Sequence, residues 1–164
     1  MPPDATDTKV LPVPGQEQTT YSLNLDRCAI EMSLRPLGLP IARARLRARA
    51  GELAVTGRPP VASIRLEVLA APDRVSMPLG AALFRSPSGR RRLVFTATDV
   101  EMIVTRQPIA MKGELDDADE PSPLPLTVRF VHVDEHAVVL AARGPLRPMP
   151  GRWLWVEAAM EFTR

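Results

Sequence analysis

His132 and His136 stand four residues apart around Asp134-Glu135, a grouping able in principle to hold a metal ion. With extended sequence expected on both sides, the two histidines bracket a strand-turn-strand rather than one face of a helix, and a solvated hairpin turn accounts for them better. Cys28 is the only cysteine, so an internal disulfide and a cysteine-built zinc cage are both excluded. Asp99 and Glu101 share one strand face, but nothing around them would set two carboxylates at different pKa values. The chain has no Gly-x-Ser-x-Gly elbow, no phosphate-cradling glycine loop and no His-Glu-x-x-His. The expectation is a non-enzyme with no catalytic residues, no cofactor and no metal.

Arginine is the other chemistry on offer. Lys and Arg total 21 against 19 Asp and Glu, a formal net charge of +2, and only Lys9 and Lys112 are lysines. Alanine and proline are abundant too, so base-composition bias explains much of the arginine. Its local arrangement is less ordinary. Arg43, Arg45, Arg47 and Arg49 alternate along one strand face, where like charges repel unless something screens them. Glu52, Glu67, Glu101 or Glu114 from neighbouring strands would serve, and a phosphate-bearing partner is the functional alternative. Aromatic residues are 4% of the chain, and none interleaves with the ladder. Base stacking therefore has little to work with, and nucleic-acid binding is disfavoured. Arg90-Arg91-Arg92 beside the Ser86–Gly89 turn reads as an exposed hairpin tip.

The elements that position these residues have a period close to two from Tyr21 onward. Cys28, Ile30, Met32 and Leu34 alternate with Ala29, Glu31, Ser33 and Arg35. After the break at Pro36-Leu37-Gly38, Ala42, Ala44, Leu46, Ala48 and Ala50 take the face opposite the arginines. Ala62, Ile64, Leu66, Val68 and Ala70 line one side of a strand over 61–70. Leu93, Phe95 and Ala97 line another. Further strands are expected near 99–106, 109–115, 124–133, 137–146 and 152–163, with Asp116–Pro123 as a solvated connection. Residues 72–84 lack alternation and read as a loop or a short helix near 78–84, a candidate lid. Residues 1–20 are polar and broken by Pro2, Pro3, Pro12 and Pro14, and read as a flexible tail ahead of one domain over 21–164. Short strands with proline and glycine at their breaks imply an all-β antiparallel barrel or sandwich.

The order of these segments resembles the YceI-like family of lipocalin-like, polyisoprenoid-binding proteins. Tyr21-Ser22-Leu23-Asn24-Leu25-Asp26 is similar to its opening strand, and Gly51-Glu52-Leu53 and Ala62–Val68 to its third and fourth strands. Leu83-Phe84-Arg85-Ser86 precedes the phenylalanine-bearing Leu93-Val94-Phe95-Thr96, as the family's pattern has it. Met111-Lys112-Gly113-Glu114-Leu115 then Leu124-Pro125-Leu126 resembles its Val-x-Gly-x-Leu and Pro-Val-x-Leu, and Arg143-Gly144-Pro145-Leu146 the end of a late strand. The chain departs from the pattern at Ala44, where a glycine is usual, and at Ala71–Arg74, which replaces a Ser-x-x-Thr-Gly stretch.

The resemblance implies a barrel of about eight strands that binds or carries a polyisoprenoid or related lipid. Its lining would be Ala42, Ala44, Leu46, Ala48, Ile64, Leu66, Val68, Leu93 and Phe95, the small alanine face leaving room opposite the larger side chains. The competing reading fills that room with neighbouring side chains. The protein is then an interaction or regulatory domain whose arginine face meets an anionic partner. Trp153 and Trp155 share a strand face opposite Leu154, Val156, Ala158, Met160 and Phe162. They suit a homodimer interface or barrel rim, or else cover the barrel base. No stretch approaches the roughly 20 apolar residues of a membrane helix. Met1–Thr20 lacks a signal-peptide pattern, so a cytoplasmic location is expected.

Overall fold

Alternation of branched or long apolar residues with polar ones favours extended backbone with one face dry, and pairing with neighbouring strands satisfies its backbone groups. The computed structural model describes residues 17–35, 39–40, 42–76, 92–117, 120–146 and 154–164. Eight strands result: β1 (Thr19–Leu34), β2 (Ala42–Thr56), β3 (Val61–Ser76), β4 (Arg92–Glu101), β5 (Ile109–Asp117), β6 (Glu120–Val133), β7 (Ala137–Leu146) and β8 (Leu154–Thr163). Each pairs antiparallel with the next, and β8 returns to β1, with Met32 opposite Val156 and Leu34 opposite Leu154. The sheet closes into an eight-stranded antiparallel up-and-down barrel, with no helix among the described residues. Residues 72–76 of the expected lid instead continue β3, with Arg74, Val75 and Ser76 paired to Arg45, Ala44 and Arg43, while the rest of that segment, including the expected helix near 78–84, lies outside the described residues.

The up-and-down order places the connections after β2, β4 and β6 at one end of the barrel, here the lower, with both termini of the paired sheet. That half is packed solid. Leu53, Ala62, Val128, Val138 and Phe162 have no exposed surface, and Phe130 has 1%. Tyr21 plugs the same end, its Oη donating to the Asp134 carbonyl at 3.0 Å. The connections after β1, β3, β5 and β7 lie at the upper end.

Register shifts reset which face a strand buries, as β2 and β4 show. In β2, Ala48 pairs with Val68 but Ala50 with Glu67, so Arg49 is an extra residue on β2. The parity then reverses. Gly51 and Leu53 turn inward, and Ala50 stands exposed on the outer wall, not on the inner face its spacing predicts. In β4, Ala97 pairs with Ile64 and Val100 with Ala62, leaving an extra residue in a stretch where Asp99 has a φ of 57°. Aspartate tolerates this left-handed conformation better than most residues. The buried set accordingly changes from Leu93, Phe95 and Ala97 to Val100 and Met102.

The remaining departures have similarly local causes. No separate strand covers 99–106. β4 ends at Glu101, and 102–108 leave the ladder. β1 begins at Thr19, two residues before the expected boundary. The acidic connection shrinks, because β5 runs to Asp117 and β6 starts at Glu120. Pro121, Pro123 and Pro125 therefore lie within β6, opposite Asp116, Glu114 and Lys112. Prolines on alternate residues put all three missing N–H groups on one edge of the strand. Among the described pairs, β7 joins β6 only from Thr127 onward, so β6 is paired on one side where its prolines fall.

Candidate functional site

The upper half of the barrel, unlike the lower, is not filled. A cavity of about 70 Å³ lies there, lined by seventeen side chains from all eight strands, all of them apolar. Its wall includes Met32, Met111, Met160, Leu115, Leu124 and Leu126. Ala142 and Ala158, inward-facing on β7 and β8, give it width. Phe95 lies across Gly113. A β-carbon at 113 would clash with the ring, so the glycine is what gives the ring its place beside β5.

Of the residues expected to line a ligand site, Leu46, Ile64, Leu66, Val68, Leu93 and Phe95 are buried and all border this cavity. Ala48 is half-buried and packs against the core without bordering the cavity. Ala42 and Ala44 occupy β2 opposite Leu34 and Met32, at the upper end. The spacing did not single out the contributions of Met111, Leu115, Leu124, Leu126 and Leu140. Their strands were legible, but which strands enclose one volume depends on closure of the barrel.

Outside, the arginine ladder is only partly neutralised. Arg43 Nη1 lies 3.8 Å from Glu31 and Arg49 Nε 3.9 Å from Glu67. Glu67 is shared, accepting a 2.8 Å hydrogen bond from Arg92. That bond, with Arg92, Arg49 and Arg65 around it, holds the Glu67 carboxyl below its usual pKa against some desolvation. Arg92 is thus a paired strand residue, not part of a hairpin tip, while Arg90 and Arg91 lie outside the described residues. Of the four carboxylates expected to screen the ladder, Glu67 does so, and Glu31 joins it from β1. Arg45 and Arg47 have no ion pair among the described residues.

The histidine pair sits on the lower hairpin. His132 Nε2 lies 2.6 Å from Asp134 Oδ2, and His136 Nε2 lies 3.3 Å from Glu135. Asp134 Oδ1 accepts from the backbone N–H of His136 and Ala137 at 2.8 and 2.7 Å, closing the turn. Among the described residues no three His, Cys, Asp or Glu side chains converge as metal ligands. Trp155 does lie on the outer wall, half-buried beneath the Arg35 guanidinium at 5.6 Å. Its cross-strand neighbour Ser33 is only 2% exposed, although alternation placed it towards solvent. Arg35 Nε donates to the Ser33 hydroxyl at 2.9 Å, and the same guanidinium reaches Glu157 at 3.3 Å. Trp153 lies outside the described residues.

No protein-family model and no curated protein matches this chain. Among solved structures, the chain is similar to a polyisoprenoid-binding domain from Saccharophagus degradans implicated in plant cell wall breakdown. The two share 10% identity at a TM-score of 0.48, over 87% of this chain and 97% of that one. At that level the likeness transfers neither a ligand nor a residue role. No described helix is long and apolar enough to cross a membrane.

Proposed function

We propose that the barrel is a non-catalytic binder of a hydrophobic ligand, a polyisoprenoid or related lipid chain, received in its upper half. The observation that carries this reading is the uneven packing of the interior: a solid lower half beneath a wholly apolar cavity. Burial of an apolar chain there gains about 25 cal/mol per Å² removed from water. At about 70 Å³ the cavity is smaller than the roughly 150 Å³ that admits benzene, so a ligand enters by displacing side chains. Met32, Met111 and Met160 supply that adaptability, since thioether chains are unbranched and repack at little cost.

Native mass spectrometry of gently purified protein should retain an apolar molecule, and empty protein should take up offered polyprenol or fatty alcohol. Val68→Phe, which fills the cavity from β3, should reduce uptake about tenfold or more while leaving the fold intact, as overpacking is partly absorbed by methionines. Protein that is always empty and takes up no lipid overturns the proposal. The small cavity volume favours one second reading: a filled barrel that acts through its outer arginines. Charge reversal at Arg45 and Arg47 would then abolish capture of an anionic partner and leave lipid uptake unchanged.

A further inference from the structure

The outer wall carries a larger recess than the interior does. A groove of about 710 Å³ crosses the outer faces of β6, β7, β8, β1 and β2. Its floor is made of methyl groups. Ala29, Ala159 and Ala141 stand directly opposite one another on three adjacent strands. Arginines ring that floor: Arg45 from β2, Arg129 from β6, Arg143 from β7 and Arg106 from the β4–β5 connection.

Register fixes how these charges are spread. Arg45, Glu31, Glu157 and Arg143 form one continuous cross-strand row. Arg45 and Arg143 are therefore separated by about 14 Å of sheet, at roughly 4.8 Å per strand. Arg129 faces Ala141 one row away, diagonal to Arg143, so two guanidiniums converge at one end of the groove. The two carboxylates in the row are engaged by arginines that do not line it, Glu31 by Arg43 and Glu157 by Arg35. None of Arg45, Arg106, Arg129 and Arg143 has an ion pair among the described residues. The lining thus carries four guanidiniums against two carboxylates already engaged from outside it, so the recess is net positive and attracts a multiply charged anion.

We infer that this groove is a binding site for a small oligophosphate, free or as a phosphate ester. Arg129, Arg143 and Arg106 would hold one end and Arg45 would reach the other. Guanidinium recognises phosphate by paired, charge-assisted hydrogen bonds. The volume suits a small molecule. Among the described residues no aromatic ring lines the groove, so none of them would stack on a nucleobase there. The inference does not depend on whether the barrel interior takes a lipid.

Tripolyphosphate is the probe, titrated calorimetrically at low and moderate salt. Saturable 1:1 binding is expected. Arg129→Gln/Arg143→Gln should weaken it at least about tenfold, since two sets of charge-assisted hydrogen bonds are lost. Arg58→Gln/Arg65→Gln removes the same charge elsewhere and should change affinity less than about twofold. Arg45→Gln should weaken tripolyphosphate but leave orthophosphate unaffected, because only the longer anion spans the groove. Thermal melts establish that each variant is folded. Absence of saturable binding overturns the inference, as does equal loss in the control pair. Capture by anionic vesicles without tripolyphosphate binding also overturns it, assigning the arginines to a membrane surface instead.

Discussion

Cys28, on the face of β1 that carries Ile30 and Met32, is chemically silenced by its surroundings. It sits half-buried opposite Met160, and burial pushes its thiol up to about 11 against a smaller opposing pull from Arg45. At pH 8 only about one thiol in a thousand is then ionised. Alkylation by iodoacetamide should be far slower than for a free cysteine and accelerate on unfolding; equal rates in native and denatured protein would refute this environment. Asp134 is shifted the other way, to about 2, chiefly by its bond to His132 and then by the N–H groups of Ala137 and His136. An aspartate in the unfolded chain titrates near 3.9. Its contribution to stability is therefore complete above about pH 4 and is lost as pH falls towards 2. Asp134→Asn should melt lower than wild type at neutral pH, with the gap closing across that window. A constant gap from pH 6 to pH 2 would assign the effect to turn geometry alone. The turn was legible in Asp134-Glu135. The reach of His132 to it was not, because a contact between residues two apart depends on how the hairpin twists.

Strands were readable wherever the ladder is regular. Ile64, Leu66 and Val68 fall on the expected face, and so do Met160 and Phe162. Legibility failed at the bulges. Ala50 continues a flawless alternation in sequence yet faces outward, because one unpaired residue reverses the parity and the signal lies in the partner strand. β6 failed for the opposite reason. Pro121 and Pro123 read as breakers, although a strand paired on one edge accommodates them. Gly113 tests β4 and β5 together. Gly113→Ala forces the Phe95 ring off β5 and should destabilise the protein by about 1–3 kcal/mol, measured by urea unfolding. A neutral result would mean that the ring moves freely into the cavity, in which case ligand uptake should fall.

At the scale of the whole molecule, closure joins residues far apart in sequence. β8 completes the wall between β1 and β7 and supplies Met160 and Phe162 to the core. Removal of residues 154–164 should abolish cooperative unfolding rather than merely lower the midpoint, since two edges and a core layer are lost together. A truncated chain that still melts in one sharp transition would show that seven strands suffice. The all-β class was legible from period and punctuation. Neither the cavity nor the arginine groove was, because each assembles residues that only register and closure bring side by side. The ladder is not continuous at every seam of the wall. Among the described residues no ladder pair joins β6 to β7 before Thr127, and an unpaired strand edge ordinarily recruits strands from other chains. Here every second residue on that edge is a proline without a hydrogen to offer, at 121, 123 and 125. The seam thus resists templated association, and replacing all three prolines with threonine should convert a protein that stays dispersed on concentration into one that forms β-rich aggregates, followed by light scattering and thioflavin fluorescence.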